Sequence, residues 1–209
     1  MKIIIPARMG SKGLPFKNRK LFKYTADTIP SDLKKDTYVT TDDLEIMKLA
    51  REFGFNVIER PQALAQDETS TKETLVHALG VIDPLRDEDI IVLYLTYPGR
   101  KWQDVLNALE FTESLDFKVN SMLCKKECTS PYLMMFEKGP FGTQVIPHDL
   151  YRRQDYPASF EISHYIIFFK SHYINNLNNN LYSNTTVFYK IDKVVDVDLQ
   201  KDLDQFYEN

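Results

Sequence analysis

The stretch from residue 2 to residue 18 reads KIIIPARMGSKGLPFKN, and it decides how the rest of the chain is interpreted. Its first part, Lys2–Pro6, is a short run rich in β-branched residues, which is typical of a strand. Two glycines, one arginine, two lysines, a serine and an asparagine follow directly. Glycines let the backbone approach a phosphate closely and turn successive N–H groups toward an anion. The stretch therefore predicts a strand followed by an anion-binding loop, with a basic surface loop as the alternative.

Strands and helices alternate along the remainder of the chain. Apolar residues recur at helical spacing over residues 44–53 and 102–109, and the capping-box pair Ser70 and Glu73 opens another helix. Further strands are predicted at residues 36–40, 55–58, 90–95, 118–124, 165–170 and 186–191, and a closing helix at residues 199–207. This alternation predicts an α/β fold with a mostly parallel sheet covered on both faces, in one domain spanning residues 1–209. Ligands of such sheets bind at the carboxyl ends of the strands, beside the loop after the first strand.

One stretch interrupts the alternation. Residues 131–147 contain two short segments around the turn EKGPFG, which predicts a hairpin that projects from the main sheet. The stretch carries six large apolar side chains, namely Tyr132, Leu133, Met134, Met135, Phe136 and Phe141. That is too much apolar surface for a protrusion left in water, so we expect a homodimer that pairs through this hairpin.

Charge and composition narrow the class of protein. The net charge is −4, but residues 1–35 carry nine basic residues against two acids, which leaves that segment at +7 and the rest at −11. This distribution suits a small anionic ligand better than a nucleic acid. The two cysteines do not form a disulfide scaffold, and no apolar run approaches the roughly 20 residues that span a bilayer. The N-terminal apolar stretch is also too short for a signal peptide, so a soluble cytoplasmic protein is expected.

Several common catalytic motifs are missing. The Walker pattern and the three-glycine dinucleotide fingerprint do not occur. Cys124 and Cys128 have no second Cys/His pair at zinc spacing, and no serine elbow of the hydrolase type is present. The anion-binding loop is thus the leading candidate for chemistry, because Arg8 can clamp two phosphate oxygens while Lys12 and Lys17 act as point charges.

Five ordered segments resemble the acylneuraminate cytidylyltransferases, which make CMP-sialic acid and related CMP-nonulosonates. They are the loop at residues 8–18, VTTDDLEI at 39–46, the RP and LAQDETST stretches between 60 and 71, RRQDYP at 152–157 and DVD at 196–198. The resemblance implies a nucleotide-diphospho-sugar transferase-like (Rossmann-like) three-layer sandwich. It also implies the use of CTP, a divalent metal (usually Mg²⁺) and an acidic sugar, with release of pyrophosphate. The hairpin lies where this family keeps its dimerisation element.

The resemblance also implies roles for individual residues. Five residues would hold the nucleotide and its phosphates: Arg8, Ser11, Lys12, Lys17 and Asn18. Arg60 would lie near the cytosine, Arg153 would face the acidic sugar, and Asp196 and Asp198 would hold the metal. Arg8, Lys17 and Asp198 would act directly in catalysis, which in phosphoryl-group chemistry consists mostly of positioning and electrostatic stabilisation. Carboxylates two apart on an extended segment point the same way and can reach one hard cation; a solvated acidic terminus is the alternative.

The chain departs from the family pattern on the sugar side. Tyr94 replaces a glutamine that follows the fourth strand, and Ser163-His164 replaces an Asn-Gly pair. The acidic residue that the enzymes activating the eight-carbon sugar Kdo carry after the same strand is also missing. We therefore expect Tyr94 and Ser163 to line the acceptor pocket. The alternatives to an active nonulosonate cytidylyltransferase are a synthetase for another acidic sugar such as Kdo, and a nucleotide- or sugar-binding relative without turnover.

Overall fold

A computed structural model describes residues 1–10, 13–128, 130–192 and 194–208. Within these residues the chain forms a seven-stranded sheet, a separate two-stranded hairpin and five α-helices. The predicted α/β class with a mostly parallel sheet is therefore confirmed.

The main sheet has the strand order β3-β2-β1-β4-β8-β5-β9. Its strands are β1 (Lys2–Pro6), β2 (Thr37–Thr41), β3 (Asn56–Glu59), β4 (Asp89–Val92), β5 (Ser121–Glu127), β8 (Phe160–Lys170) and β9 (Val187–Lys190). Strands β1 to β4 pair in parallel, and β5 pairs in parallel with β9. Strand β8 runs antiparallel to both of its neighbours, β4 and β5. The first half of β8 therefore lies at the same edge of the sheet as the carboxyl end of β4.

Helices cover both faces of the sheet. They are α1 (Lys17–Thr28), α2 (Leu44–Glu52), α3 (Thr71–Ile82), α4 (Trp102–Glu113) and α5 (Gln200–Glu208). Buried residues of α1, α2, α4 and α5 pack on one face, and buried residues of α3 pack on the other. The predicted capping box at the start of α3 is present, with Ser70 accepting from the backbone N–H of Glu73 and the Glu73 carboxylate bonding back. The result is a three-layer sandwich.

Helix α1 is the element that the sequence pattern did not predict. Its N-cap residue, Phe16, has a φ of +54° and makes no side-chain capping bond, so the usual start signal is absent. Basic residues interrupt the apolar pattern of this segment. The buried residues of the helix are Leu21, Phe22, Thr25 and Ala26. Lys17 and Asn18, which the motif assigned to a loop, therefore lie in the first turn of a helix.

Two backbone hydrogen bonds bring distant segments to one edge of the sheet. The Ala7 N–H donates to the Thr40 carbonyl, which joins the loop after β1 to the end of β2. The Val197 N–H donates to the Thr96 carbonyl across 2.8 Å, which joins the C-terminal segment to the loop after β4. The carboxyl ends of β1, β2 and β4 thus meet residues from the far end of the chain.

The predicted hairpin is also present, as β6 (Met135–Lys138) and β7 (Phe141–Gln144) in a sheet of their own. Its large apolar side chains stand in solvent; Phe136 is 64% exposed and Phe141 is 76% exposed. Among the described residues, no helix is long and apolar enough to cross a membrane.

Candidate active site

A cavity of about 450 Å³ opens at the carboxyl ends of β1, β3 and β4. Seven of the predicted site residues line it: Arg8, Lys17, Asn18, Arg60, Tyr94, Asp196 and Asp198. They come from the two ends of the chain and from the segments that follow β3 and β4. The structure therefore brings together most of the side chains that the motifs singled out. Ser11 and Lys12 lie outside the described residues.

The basic loop leads directly into the N-terminus of α1, which adds to the positive character of the cavity. The first N–H groups of a helix lack partners within the helix, and the helix dipole places partial positive charge there. Lys17 and Asn18 stand in this first turn. The Asn18 side chain donates to the carbonyl of Arg8 at 2.8 Å, so it holds the loop closed against the helix. Loop and helix end together form an anion-binding corner.

The two main cations of this corner are each paired with a carboxylate. Arg8 Nη1 lies 2.6 Å from Asp67 Oδ1, and Lys17 Nζ lies 2.6 Å from Asp198 Oδ1. The Asp198 side chain is 67% exposed while that of Lys17 is only 13% exposed, so the carboxylate remains reachable from the cavity. A phosphate chain that enters this corner would compete with Asp67 for the Arg8 guanidinium, since both present oxygens in a geometry that arginine binds well.

The acidic pair flanks a buried residue. Val197 is fully buried between Asp196 and Asp198, and both aspartates line the cavity. Oδ1 of Asp196 is buried and has no hydrogen-bond partner among the described residues. The loop after β1 reaches this segment at Gly13, where a Cβ would lie 2.5 Å from the carbonyl oxygen of Asp198, so only glycine fits there without movement.

This pair suits a small, hard cation. Mg²⁺ is held in proteins by one or two carboxylates together with water and substrate phosphates. Two carboxylates beside a phosphate-binding corner fit that pattern, and an orphaned buried oxygen on Asp196 is available as a ligand. Within the described residues, no cluster of three or more metal-binding side chains occurs.

Arg60 is a second, deeper cation. It is 6% exposed, and its Nη2 donates to the Thr40 carbonyl at 2.8 Å. Burial is the main reason why the pKa of Arg60 falls to about 10. The Asp42 carboxylate opposes this shift, and the nearby Arg8 cation contributes to it. The group still carries its charge at neutral pH. Its Nε is buried without a partner among the described residues, so the guanidinium keeps one donor for a bound group.

An aromatic pair forms the wall across from the basic loop. The rings of Tyr94 and His164 stack with centroids 5.6 Å apart and an interplanar angle of 20°. His164 Nε2 lies 3.0 Å from the Asn180 carbonyl, which can only accept, so this nitrogen carries the proton. Burial raises the pKa of the Tyr94 phenol, and a hydrogen bond with Thr71 opposes that shift. This side of the cavity is therefore formed by two stacked aromatic rings.

Ser163 is not part of the wall surface. Its side chain is 3% exposed and lies beneath the wall beside Tyr97, whereas its neighbour His164 lines the cavity. The pairing of β8 with β5 explains this placement, since Ser163 pairs with Cys124 whereas His164 begins a short segment that β5 leaves unpaired. Burial raises the pKa of the Tyr97 phenol well above its usual range, and the Asp196 carboxylate adds to that effect.

Arg153 lies apart from the main cavity. It lines a second cleft, of about 430 Å³, at the base of the hairpin together with Cys128, Tyr156 and Phe160. The reason is the length of β8: the residues that precede this 11-residue strand are carried away from the carboxyl end of β4. Within one chain, the structure thus does not bring Arg153 to Tyr94.

Two contributors to the site were not singled out from the sequence: Asp67 and Tyr97. Asp67 stands inside the LAQDETST segment and Tyr97 stands in the loop after the fourth strand, but neither residue type indicates its partner. His164 was included only as part of the Ser163-His164 pair on the sugar side, and it lines the cavity. Its position in the wall depends on the antiparallel direction of β8, which neither spacing nor composition reveals.

The sequence of this chain is similar to those of known cytidylyltransferases. Residues 2–94 match the family described as Cytidylyltransferase. N-acylneuraminate cytidylyltransferase of Streptococcus agalactiae serotype III (strain NEM316) is 32% identical over 162 residues, which is 73% of this chain and 39% of that protein. The same enzyme of Escherichia coli O18:K1:H7 (strain RS218 / NMEC) is 32% identical over 120 residues, 54% of this chain and 28% of that protein. The chain thus spans less than half the length of these relatives.

Solved structures agree on the fold. CMP:2-keto-3-deoxy-manno-octonic acid synthetase complexed with CTP aligns with a TM-score of 0.70 at 16% identity, over 99% of this chain and 96% of that one. A 4-diphosphocytidyl-2C-methyl-D-erythritol synthase from Anaerococcus prevotii DSM 20548 aligns with a TM-score of 0.60 at 12% identity, over 100% and 96%. The predicted nucleotide-diphospho-sugar transferase-like fold is therefore confirmed. Together with the sequence matches, this makes the chain a relative of the acylneuraminate cytidylyltransferases, as its motifs predicted.

Proposed function

We propose that this chain transfers CMP from CTP to a nonulosonic sugar acid and releases pyrophosphate, with a divalent cation such as Mg²⁺ as cofactor. The observation that carries the proposal is one cavity in which a basic loop, a helix N-terminus and an acidic pair meet. The cytidylyltransferase match of residues 2–94 covers the basic loop and Arg60.

The reaction requires mainly that the negative charge of the transition state be stabilised. A sugar hydroxyl attacks the α-phosphorus of CTP, a new P–O bond forms, and the bond to the pyrophosphate oxygen breaks. Negative charge develops on the non-bridging oxygens and on the leaving group. Arg8, Lys17 and the N-terminus of α1 are the groups that would stabilise this charge. Arg60 would lie beside the cytosine of CTP.

The cofactor would bind at the acidic pair. A bound Mg²⁺ supplies positive charge to the phosphate oxygens and the leaving group. Asp196 and Asp198 would hold it, and the Lys17–Asp198 ion pair would then open so that Lys17 turns to the phosphates.

Two alternatives remain beside the main proposal. The aromatic wall of Tyr94 and His164 differs from the amide-bearing pocket of the family, which allows a synthetase for another acidic sugar such as Kdo, or a binding relative without turnover. Pyrophosphate release with CTP, Mg²⁺ and a panel of sugar acids separates them. Release with a nonulosonic acid supports the proposal, release only with Kdo supports the first alternative, and CTP binding without release supports the second.

Both cysteines are free thiols, and Cys124 is buried. Structural thiols of this kind persist in reducing compartments. We therefore propose that the reaction takes place in the cytoplasm. As partners we propose CTP and the acidic sugar, and neither nucleic acid nor membrane.

The wall predicts which sugar acids react well. A site that lacks hydrogen-bond partners for the hydroxyl or acyl groups of a substrate stabilises the transition state of that substrate less well. We expect N-acetylneuraminic acid to be at least about tenfold poorer in kcat/KM than the best nonulosonic acid, since the two family amides are replaced here. Side-by-side kinetics with several nonulosonic acids measures this ratio. N-acetylneuraminic acid as the best substrate would contradict the role given to Tyr94.

The same assay tests Arg153. Arg153 lies in the second cleft of its own chain, away from Tyr94. If the dimer proposed below brings it to the sugar, Arg153→Ala should lower kcat/KM for every sugar acid, because the carboxylate is common to all of them. Arg152→Ala is the matched control, since Arg152 forms a bidentate ion pair with Asp155 at 2.6 and 2.8 Å instead of facing the second cleft. Equal kinetics in the two variants would remove Arg153 from the site.

We also propose that the chain is a homodimer through the hairpin of β6 and β7. Exposed Phe136, Phe141 and Met135 form an apolar surface that two-fold pairing would bury. Light scattering at micromolar concentration should give twice the mass of one 24.4 kDa chain. Phe136→Ser with Phe141→Ser should lower that mass to one chain. A wild-type mass of 24.4 kDa would contradict the dimer.

A further inference from the structure

Arg100 is a fully buried cation in the connection between β4 and α4. It is only 2% exposed, and among the described residues no carboxylate lies within ion-pair distance of its guanidinium. The nearby acid Asp104 instead accepts a hydrogen bond from the Tyr165 hydroxyl at 2.6 Å. Burying a charge without a carboxylate is costly unless hydrogen bonds replace its hydration. The position of Arg100 therefore calls for an explanation beyond packing.

The guanidinium bonds to backbone on two strands and to a side chain on a helix. Its Nη1 donates to the Tyr165 carbonyl on β8, and its Nη2 donates to the Tyr94 carbonyl just beyond β4. Nη2 also lies 3.4 Å from Thr25 Oγ1 on α1. The rings of Tyr97 and Tyr165 lie 5.9 and 5.6 Å from the guanidinium carbon, close enough for cation–π attraction.

The charge persists at neutral pH in this setting. Burial lowers the pKa of Arg100 to about 10, and the tyrosines beside it oppose the shift. A cation that is held by carbonyls and ring faces has a fixed orientation, because the planar guanidinium presents its donors in a rigid fork.

An irregularity in β8 explains why the Tyr165 carbonyl is available. Strand β5 pairs Leu123 with Ile167 but Cys124 with Ser163, so residues 164–166 of β8 are left out of the ladder with β5. Such irregularities re-aim side chains and free backbone groups next to functional sites. Here His164 turns into the cavity wall, and the adjacent Tyr165 carbonyl is satisfied by Arg100.

Arg100 therefore connects the backbone segments that carry the two wall residues, Tyr94 and His164. One donor holds the backbone of Tyr94, and another holds the residue directly after His164. Its neighbour Tyr97 lies beside Asp196, so the same cluster extends to the acidic pair. A side chain in this position controls how far apart the wall rings stand.

We infer that Arg100 is a positioning residue that sets the geometry of the Tyr94–His164 wall and thereby the sugar half of the cavity. This inference rests on the proposed function for its kinetic meaning, although the geometry of the wall can be measured without turnover. Lysine cannot replace the fork, because a single ammonium cannot bond both carbonyls in one plane.

The test compares Arg100→Lys and Arg100→Met with wild type. We expect kcat/KM for the best sugar acid to fall by about 10- to 100-fold, as for a misplacement near 1 Å. CTP binding, measured by calorimetry, should change by less than about threefold, since Arg100 forms no hydrogen bond with a described residue of the basic loop. The imidazole NMR signal of His164, assigned with His164→Gln, should shift in both variants because its stacking on Tyr94 changes.

Ser171→Ala is the matched control. The Ser171 hydroxyl lies within hydrogen-bond distance of the carbonyls of Leu85 and Arg86 at the opposite end of the sheet, so its loss likewise removes a hydrogen bond from a side chain to the backbone. We expect it to lower stability without moving the His164 signal or the sugar-acid kinetics. Because the NMR readout needs no turnover, an inactive wild type would refute the proposed function and still leave the wall geometry to be decided.

Two outcomes would overturn the inference. The first is an Arg100→Lys protein whose His164 signal is unchanged and whose sugar-acid kinetics, where turnover exists, stay within twofold of wild type. The second is an Arg100→Lys protein that does not fold, since a variant that keeps the charge and most of the volume would then assign Arg100 to the stability of the core alone. In either case the wall would owe its geometry to other residues.

Discussion

Replacing Asp198 with asparagine is expected to abolish magnesium-dependent turnover while leaving the protein folded. The amide keeps an oxygen but loses the charge that attracts a hard cation, and it also removes the ion-pair partner of Lys17 at 2.6 Å. Because the Asp198 side chain is two-thirds exposed, no large loss of stability should follow. Titration of Mg²⁺ against pyrophosphate release in both proteins measures the effect.

Asp204→Asn is the matched control for this change. Asp204 is another carboxylate of the acidic C-terminal segment, and it accepts a hydrogen bond from the Gln200 side chain at 2.7 Å within α5. Its amidation should alter stability by no more than about 0.5 kcal/mol and leave the magnesium dependence intact. If Asp198→Asn behaved in the same way, the acidic pair would be a solvated terminus and not a cation site.

Arg8→Ala and Lys17→Ala should each lower kcat by about 10²–10³-fold, which is typical for the loss of one donor that stabilises charge in the transition state. Both cations stand in the anion-binding corner and line the cavity. Steady-state kinetics with saturating CTP and sugar acid gives the ratio. The effect should appear in kcat because the charge develops only in the transition state.

Lys23→Ala serves as the control within the same helix. Lys23 lies on an exposed part of α1 and pairs with Asp27 at 2.5 Å, so its removal also breaks a lysine–aspartate ion pair. We expect its kinetics to match wild type. Near-normal turnover in both Arg8→Ala and Lys17→Ala would mean that the basic loop is merely a charged surface.

The fold could be predicted largely from local patterns. The strand at Lys2–Pro6, the capping box at Ser70 and the hairpin near residues 135–144 each have a signal in a few adjacent residues, and the structure contains all three. Helix α1 lacked such a signal because its N-cap, Phe16, adopts a left-handed conformation without a capping side chain. Its helical state depends on packing of residues such as Phe22 against the sheet, which is a tertiary effect.

The site was predictable where chemistry and sequence motif coincide. Arg8, Lys17, Asp196 and Asp198 line one cavity, although 181 positions separate Lys17 from Asp198. The motifs could not predict where individual side chains lie in the folded chain. They did not reveal that the Ser163 side chain is buried, or that Arg153 lines a second cleft. Those placements follow from the antiparallel run and the irregular pairing of β8, which only the assembled sheet defines.

The central claim is the transfer of CMP, and the fate of a labelled phosphorus tests it most directly. Two reactions would run in parallel with Mg²⁺ and the best nonulosonic acid, one with CTP labelled at the α-phosphorus and one with CTP labelled at the γ-phosphorus. The account predicts that the α label ends in a CMP-sugar and that the γ label ends in pyrophosphate. An α label that stays in CTP with every acid, or that appears only as free CMP, would contradict it.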